Sequence, residues 1–412
     1  MKHHPYVGLP AHHYWGPSMA TPAPGHIHPV VQAPLIRRDQ TIVSLGSCFA
    51  QRLAWRIQAE GLPYLVTEQA PAHLDAEQAR RKGYGVYSAR YGNVYTARQA
   101  LQLFERAFGH FQPHETVWQR DDGRFVDPYR PGVDPDAFAS EAALQEDREH
   151  HLACVRAVFL QADWIILTLG LTEAWHARSD GAVFPLAPGV AGGAYNPALH
   201  AFINFSARET ADDLATLVRH IGRVNPRAHL MLTVSPVPIA ATFENRHVLV
   251  SSTLTKAALR VAADEVERQF DNVVYFPAYE IATSPAAGSH YFEDDLRHLS
   301  ELGVAHVMRA FQRCIEPHPG SQNSDDDADF AHPGAPTPGH QEVVCDEDLI
   351  LQGLKAFGER PSARQTGTAD AAFDETRYLL LHPDVAAAVA QGIFRSAAEH
   401  YARHGREEGR AC

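Results

Sequence analysis

At 412 residues the chain is long enough for one large α/β domain plus a small appendage, and a domain of about 300 residues buries a sizeable core. Lys and Arg number 36 against 49 Asp and Glu, a formal charge of −13, so no basic surface marks the chain for nucleic acid or an anionic membrane. Cys48, Cys154, Cys314, Cys345 and Cys412 are odd in number and lack the spacing of paired ligands, which fits reduced thiols in a cytoplasm. Met1-Lys2-His3-His4-Pro5-Tyr6 lacks the apolar core of a secretory leader, and no run approaches the ~20 apolar residues of a membrane span. The 25 histidines are scattered or softly clustered, with no His-Glu-x-x-His, so no metal site is expected.

Residues 1–40, rich in Pro and His, read as an irregular arm of the main domain, anchored by Trp15. The β-branched run Thr41-Ile42-Val43 then enters the corner Gly46-Ser47-Cys48 and leaves into a helix marked by Leu53 and Ile57. A side chain on that corner stands at the carboxyl edge of a sheet and the amino end of a helix, where negative charge is favoured. Cys48 is therefore a candidate nucleophile. The alternative is that Ser47 caps the helix and Cys48 is a small buried hydrophobe.

A short strand over 63–66 and the Ala- and Gln-bearing stretch 74–81 precede a Gly-punctuated loop, 83–94. The loop ends in Tyr91-Gly92-Asn93 just before a helix over 96–108, capped by Thr96. A backbone N–H and the Asn93 amide can be aimed there at a developing charge, or Gly-Asn is ordinary turn chemistry. Residues 118–131 suggest a hairpin over the domain edge, and 140–161 a long helix. Trp164 to Leu169 is an apolar run suited to a central parallel strand covered on both faces. The turn that follows, Gly170-Leu171-Thr172-Glu173, should face the Cys48 corner across the crevice, unless Thr172-Glu173 merely starts a helix. Residues 178–207 read as a loop-dominated, substrate-facing flap, with Trp175 and Tyr195 lining the crevice. A helix over 209–221, a strand over 230–234 closed by Ser235-Pro236-Val237-Pro238, a helix over 252–270 and a strand over 273–277 complete the alternation.

Such alternation implies parallel pairing, hence an α/β fold: a three-layer α/β/α sandwich with a mostly parallel sheet over 41–316. In Asp295-x-x-His298 a carboxylate can sit beside an imidazole, or the acidic residues start a helix and His298 is merely exposed. Residues 317–345 read as a disordered acidic linker, and 346–412 as a small helical module, too small for a large core without a partner.

Leu45 to Gln51 resembles the signature of the GSCFA family, bacterial proteins related in fold to the SGNH (GDSL-type) esterases. Tyr91 to Gln99, Thr168 to Trp175, Thr233 to Pro238 and Tyr275 to Glu280 look like that family in its order, to about residue 315. Asp295-x-x-His298 resembles the SGNH block in which the His is the base and the Asp orients it. Where those esterases carry Gly-x-Asn-Asp, this chain has Gly170-Leu171-Thr172-Glu173, so Thr172 stands in place of the oxyanion Asn and Asn93 is the candidate to replace it. The resemblance implies an acyl-ester hydrolase or acyltransferase acting on an acylated small molecule, carbohydrate or surface glycan, with no cofactor. The nucleophile would be Cys48, with Ser47 as runner-up, and Gly46, Gly92, Asn93, Gly170, Thr172, Glu173 and Trp175 would bind the oxyanion or substrate. The segment from Phe373 to Arg410 resembles a module appended to bacterial surface-polysaccharide glycosyltransferases, which implies a protein or glycan partner. The competing class is a non-catalytic glycan-binding or scaffold protein on the same fold.

Overall fold

The computed structural model describes residues 4–23, 25–30, 35–288, 290–317, 346–347 and 349–350, together with 378, 382, 385, 389, 394 and 396–405. The chain divides into two compact units, Met1–Lys355 and Ala356–Cys412.

In the main unit the order is β1 (Ile42–Leu45), α1 (Cys48–Ala59), α2 (Ala76–Arg81), α3 (Ala97–Ala107), β2 (Trp118–Gln119), β3 (Phe125–Val126), α4 (Glu141–Gln161), β4 (Trp164–Leu169) and β5 (Glu173–Ala177). It continues with β6 (Val183–Phe184), β7 (His200–Asn204), α5 (Ala207–Val224), β8 (His229–Val234), α6 (Val248–Gln269), β9 (Val273–Tyr275), α7 (Ala278–Thr283) and α8 (Glu301–Gln312). Strands β1, β4, β8 and β9 form the four-stranded central sheet in that order, all parallel. The expected strand over 63–66 is reduced to one parallel bridge from Tyr64 to Ile42, since beyond it the Ser44 N–H donates to Ser88 Oγ and the Thr67 N–H to the Ser88 carbonyl. With that remnant the order runs 2-1-3-4-5, and it reverses between β1 and β4. In such sheets the crevice for a ligand opens at the reversal, beyond the carboxyl ends of the strands.

Period two along the strands separates two cores. Val43, Leu45, Ile165, Leu167, Leu169, Leu230, Leu232 and Val234 pack under α3, α4, α5 and α6. Ile42, Trp164, Ile166 and Met231 pack under α1, α7 and α8. Every residue of β4 is buried, as a strand covered on both faces requires. Thr96 and Ser206 start α3 and α5 with full capping boxes, and Ser140 caps α4.

Two expectations, on Glu173 and on Trp15, are corrected. Residues 178–207 are loop-dominated, and their two short strands, β6 and β7, pair with β5 in a three-stranded antiparallel sheet in the order β6-β5-β7. Asp180-Gly181, with Gly181 at φ +74°, is the hairpin turn that allows it. Glu173 accordingly opens a strand, not a helix. Trp15 is 68% exposed and anchors nothing. The arm is held instead by Ile36, which is wholly buried and bridges to Ile315, and by His306, whose Nε2 donates to the Ile27 carbonyl at 2.7 Å.

Apart from Pro317, the expected linker 317–345 lies outside the described residues. In the second unit Tyr378, Val385 and Ala397 are buried together, with Val389 and Tyr401 packed against them and a helical turn at Ala397–His400. Most of the stretch that carries the glycosyltransferase-module resemblance lies outside the described residues.

Gly46 holds φ at +150°, and a Cβ there would stand 2.7 Å from Thr168 Cβ and 2.8 Å from Ala50 Cβ. Gly46→Ala should therefore lose about 3 kcal/mol of stability through overpacking and backbone strain. Urea denaturation measures it, and an unchanged midpoint would show that the corner is not tight.

Candidate active site

The corner after β1 places Ser47 at the N-cap of α1 and Cys48 at its first helical position. Ser47 makes no side-chain capping bond, so its hydroxyl is not spent on the helix, and its Oγ lies 4.0 Å from Cys48 Sγ. Cys48 is only 4% exposed, packed with Phe49 and Leu53 in the core under α1. Of the two readings of the corner, this burial is the one expected of a small buried hydrophobe: the first turn of α1 packs on the sheet and takes the sulfur with it.

The segment after Gly92 ties two strand ends together. Val94 N–H donates to the Gly46 carbonyl at 2.8 Å, and the Tyr95 carbonyl accepts from Gly170 N–H at 2.9 Å and Leu171 N–H at 3.0 Å. Gly92, at φ +68°, turns the chain against Arg130, and the buried Asn93 follows. The Asn93 carbonyl oxygen accepts from Tyr87 Oη at 2.7 Å and from Gln51 Nε2 at 3.4 Å. Gln51 Nε2 also donates to Tyr87 Oη at 2.9 Å. With its oxygen so engaged, the Asn93 amide presents Nδ2 as its donor end. A Cβ added at Gly170 would stand 3.7 Å from Ser47 Oγ, so the turn after β4 lies beside the Cys48 corner.

Thr172 is buried, and its one hydroxyl proton goes to Asn204 Oδ1 at 2.8 Å, with Thr255 Oγ1 at 3.0 Å. That bond engages the proton expected for an oxyanion. Glu173 holds the loop after β8 by accepting from Thr242 Oγ1 at 2.7 Å and Phe243 N–H at 3.2 Å. Trp175 on β5 stands edge-on to Tyr195, Phe202 and Phe243 at centroid distances of 5.1, 5.8 and 4.8 Å. Tyr195 and Phe243 remain 49% and 65% exposed.

Asp295 and His298 occupy a tight turn before α8, with Leu296 at φ +55°. His298 Nδ1 lies 2.5 Å from Asp295 Oδ2, and Asp295 Oδ1 accepts from the Arg297 and His298 N–H groups at 2.9 and 3.0 Å. Desolvation would raise the Asp295 pKa, but these bonds outweigh it and hold the carboxyl at about 2. On the other side of the ring, Nε2 lies 3.4 Å from Arg297 Nη1. A guanidinium can only donate, so Nε2 accepts and the proton sits on Nδ1, facing Asp295. Arg297 Nε in turn donates to the Pro238 carbonyl at 3.3 Å, tying this turn to the loop after β8.

Two charged residues escaped the sequence reading. Lys256 on α6 is buried, and its Nζ donates to the Gly170 carbonyl at 2.9 Å. Its ammonium feels the charges of Glu347, Cys48 and Arg297. The signal was the helical spacing itself: Ser252, Thr255, Lys256, Leu259, Ala263 and Val266 share the buried stripe of α6. Arg297 lies between the two residues of the Asp-x-x-His pattern, at a position to which the pattern assigns no role. Among the described residues no group of His, Cys, Asp and Glu could hold a metal ion, and no helix is long and apolar enough to cross a membrane.

Residues 41–311, well over half of the chain, match the GSCFA family. Among solved structures the chain is similar to a family 3 carbohydrate esterase of Clostridium thermocellum at 12% identity, covering 66% of this chain and 94% of that one, TM-score 0.28. It is similar to a family 3 carbohydrate esterase of Talaromyces cellulolyticus at 14% identity, covering 66% and 94%, TM-score 0.30. A third likeness is to a family 2 carbohydrate esterase with a carbohydrate binding domain from Corynascus thermopiles, at 14% identity, covering 70% and 68%, TM-score 0.25. At these scores the fold assignment rests on the strand order alone. No curated protein matches the chain.

Burial lowers the Lys256 pKa from 10.5 to about 8. Below pH 8 folded and unfolded chains both carry the proton, and the burial penalty is present in full. Between about 8 and 10.5 the unfolded chain binds a proton that the folded one lacks, so stability rises with pH across that window. Relative to Lys256→Met, the wild type should gain about 1 kcal/mol between pH about 7 and about 9. Urea denaturation at the two pH values measures it; a constant difference would mean that Lys256 is not desolvated.

Proposed function

The chain belongs to the GSCFA family, and from that premise we propose that it is an acyl-ester hydrolase or acyltransferase, with an acylated carbohydrate or surface glycan as its substrate class. The observation that carries the reading is the Asp295–His298 pair, with Nδ1–H given to the carboxylate and Nε2 left as the acceptor. That is the tautomer a general base needs.

In the cycle we propose, Cys48 Sγ attacks the acyl carbon and its proton passes to His298 Nε2. Asp295 stabilises the imidazolium, and the Lys256 ammonium favours the thiolate. The oxyanion receives the N–H of the Cys48 turn and Asn93 Nδ2, which Tyr87 and Gln51 aim by holding the other end of the amide. Thr172 takes no part, its proton being engaged by Asn204. His298 then protonates the leaving alkoxide. Water, or an acceptor hydroxyl, cleaves the thioester and regenerates the thiol. Ser47 is the second candidate nucleophile, its hydroxyl being free of the capping role.

The carbohydrate part is supported by the rings of Trp175, Tyr195 and Phe243, two of them substantially exposed. Flat apolar faces of this kind stack on the C–H face of a pyranose. Gly46, Gly92 and Gly170 contribute backbone geometry and Glu173 holds the loop that carries Phe243. Cys48, Cys154 and Cys314, none of them in a disulfide, suit a reducing cytoplasm, and the terminal module would take a protein or glycan partner. A second reading, a binding protein without turnover, is favoured by one observation, the burial of Cys48.

The purified protein should release the acyl group from an activated ester such as 4-nitrophenyl acetate. Cys48→Ala and His298→Ala should each abolish release, since members of such a unit fail together, while Cys48→Ser keeps a trace. Release that survives both alanine substitutions would refute these assignments. A binding protein would show no release, unchanged glycan affinity in His298→Ala, and loss of affinity in Trp175→Ala.

A further inference from the structure

Arg297 faces two ways. Nη1 lies 3.4 Å from His298 Nε2, while Nη2 donates to Glu347 Oε2 at 2.7 Å, a residue 50 positions later in the chain. The other oxygen of the Glu347 carboxylate accepts the Ala240 N–H at 3.2 Å, from the loop after β8. Both side chains are largely buried, Glu347 at 10% and Arg297 at 11% exposure. The neighbouring Asp346 is also buried, packed so closely on Gly132 that a Cβ there would stand 2.6 Å from its Oδ1. Lys256, whose ammonium is in electrostatic range of Glu347 and Arg297, adds positive potential.

A guanidinium and a backbone N–H, converging on the two oxygens of one carboxylate, are the elements by which proteins recognise a carboxylate ligand. As a mere fastener the arrangement is a poor choice. A buried ion pair pays a desolvation penalty that apolar contacts would avoid, so it adds little net stability. Here it also stands directly beside the imidazole.

We propose that Arg297 and the Ala240 N–H form a carboxylate-binding subsite next to His298, that the acylated substrate places a carboxylate there, and that Glu347 fills the subsite until the substrate displaces it. That the displacing ligand is the substrate rests on the hydrolase reading; the subsite itself does not. Glu347 is then an internal competitor, and a substrate lacking the negative charge is admitted poorly.

The test uses the full chain and succinate as the probe. Thermal unfolding of Glu347→Ala should shift upward by several degrees at saturating succinate. The wild type should move far less, because its own carboxylate competes at high local concentration. The double variant Arg297→Gln, Glu347→Ala should lose the shift. In turnover, Glu347→Ala should prefer the mono-4-nitrophenyl ester of succinate over 4-nitrophenyl acetate by about tenfold more than the wild type does, the worth of one charged hydrogen bond. If Glu347→Ala does not fold, Glu347→Gln, which keeps the side-chain volume, carries the same comparison. Absence of a succinate shift in the folded variant, or a shift that persists without Arg297, overturns the subsite. A succinate shift without release from either ester keeps the subsite and sinks the hydrolase. Release from both esters with no shift and unaltered preference does the reverse.

Discussion

Buried peptide groups must find hydrogen-bond partners, and that requirement organises the site. Strands β1 and β4 end side by side at the reversal of the sheet, leaving the Gly46 carbonyl and the Gly170 and Leu171 N–H groups beyond the ladder. Val94 and Tyr95 satisfy all of them through three backbone bonds. Asn93 is held by its position next to that staple, and so is Gly92. A change that loosened Val94 would uncouple the Cys48 corner, the Gly170 turn and the Asn93 amide together.

The staple has a buried electrostatic foundation. Glu68 accepts from Arg90 N–H and lies against His151 Nδ1, each at 2.8 Å, while Arg90 Nη1 reaches Asp147 at 2.8 Å. Arg130, whose Cβ a side chain on Gly92 would meet at 3.4 Å, bonds Asp147 at 2.5 Å and Asp127 at 3.1 Å, and Arg148 completes the set on Asp127 at 3.0 Å. Desolvation opposes ionisation of Glu68, yet His151, Arg130 and the Arg90 N–H overcome it and hold the carboxyl at about 2. Burial, with Arg130, lowers His151 to about 4, so the ring is neutral. Pairs of this kind favour one arrangement of the chain over others more than they add net stability.

What could be read in the sequence was local. The β4 run, the capped helices α3 and α4, the Cys48 corner and the Asp295-x-x-His298 turn carry their signals within a few residues of themselves. Pairing across the chain could not be read that way. Strand β5 becomes a strand only because β6 and β7 flank it, and Thr172 is diverted from the crevice by Asn204 and Thr255, which stand 32 and 83 residues away. Trp15 reads as an anchor by size alone, whereas the arm is fastened by Ile36 and by a carbonyl. Arg297 and Glu347 are each unremarkable charges until the fold places one on the other. Lys256 is the exception, since its position on an apolar stripe was visible and asked for an explanation.

The register of the central sheet also sets the order of events in making the molecule. Apart from the single bridge to Tyr64, β1 is paired with β4 among the described residues, and the Thr41 N–H is bonded to the Asp163 carboxylate, 122 residues away. Closing a loop of that length is entropically unfavourable and contributes nothing until the strands meet, so the sheet belongs to the slow, high contact-order class. During synthesis β1, the Cys48 corner and α1 emerge early and must wait, their apolar faces uncovered, until β4 has left the ribosome. The same corner that organises the finished site is therefore a liability of the nascent chain, and a segment on which a holding chaperone would act.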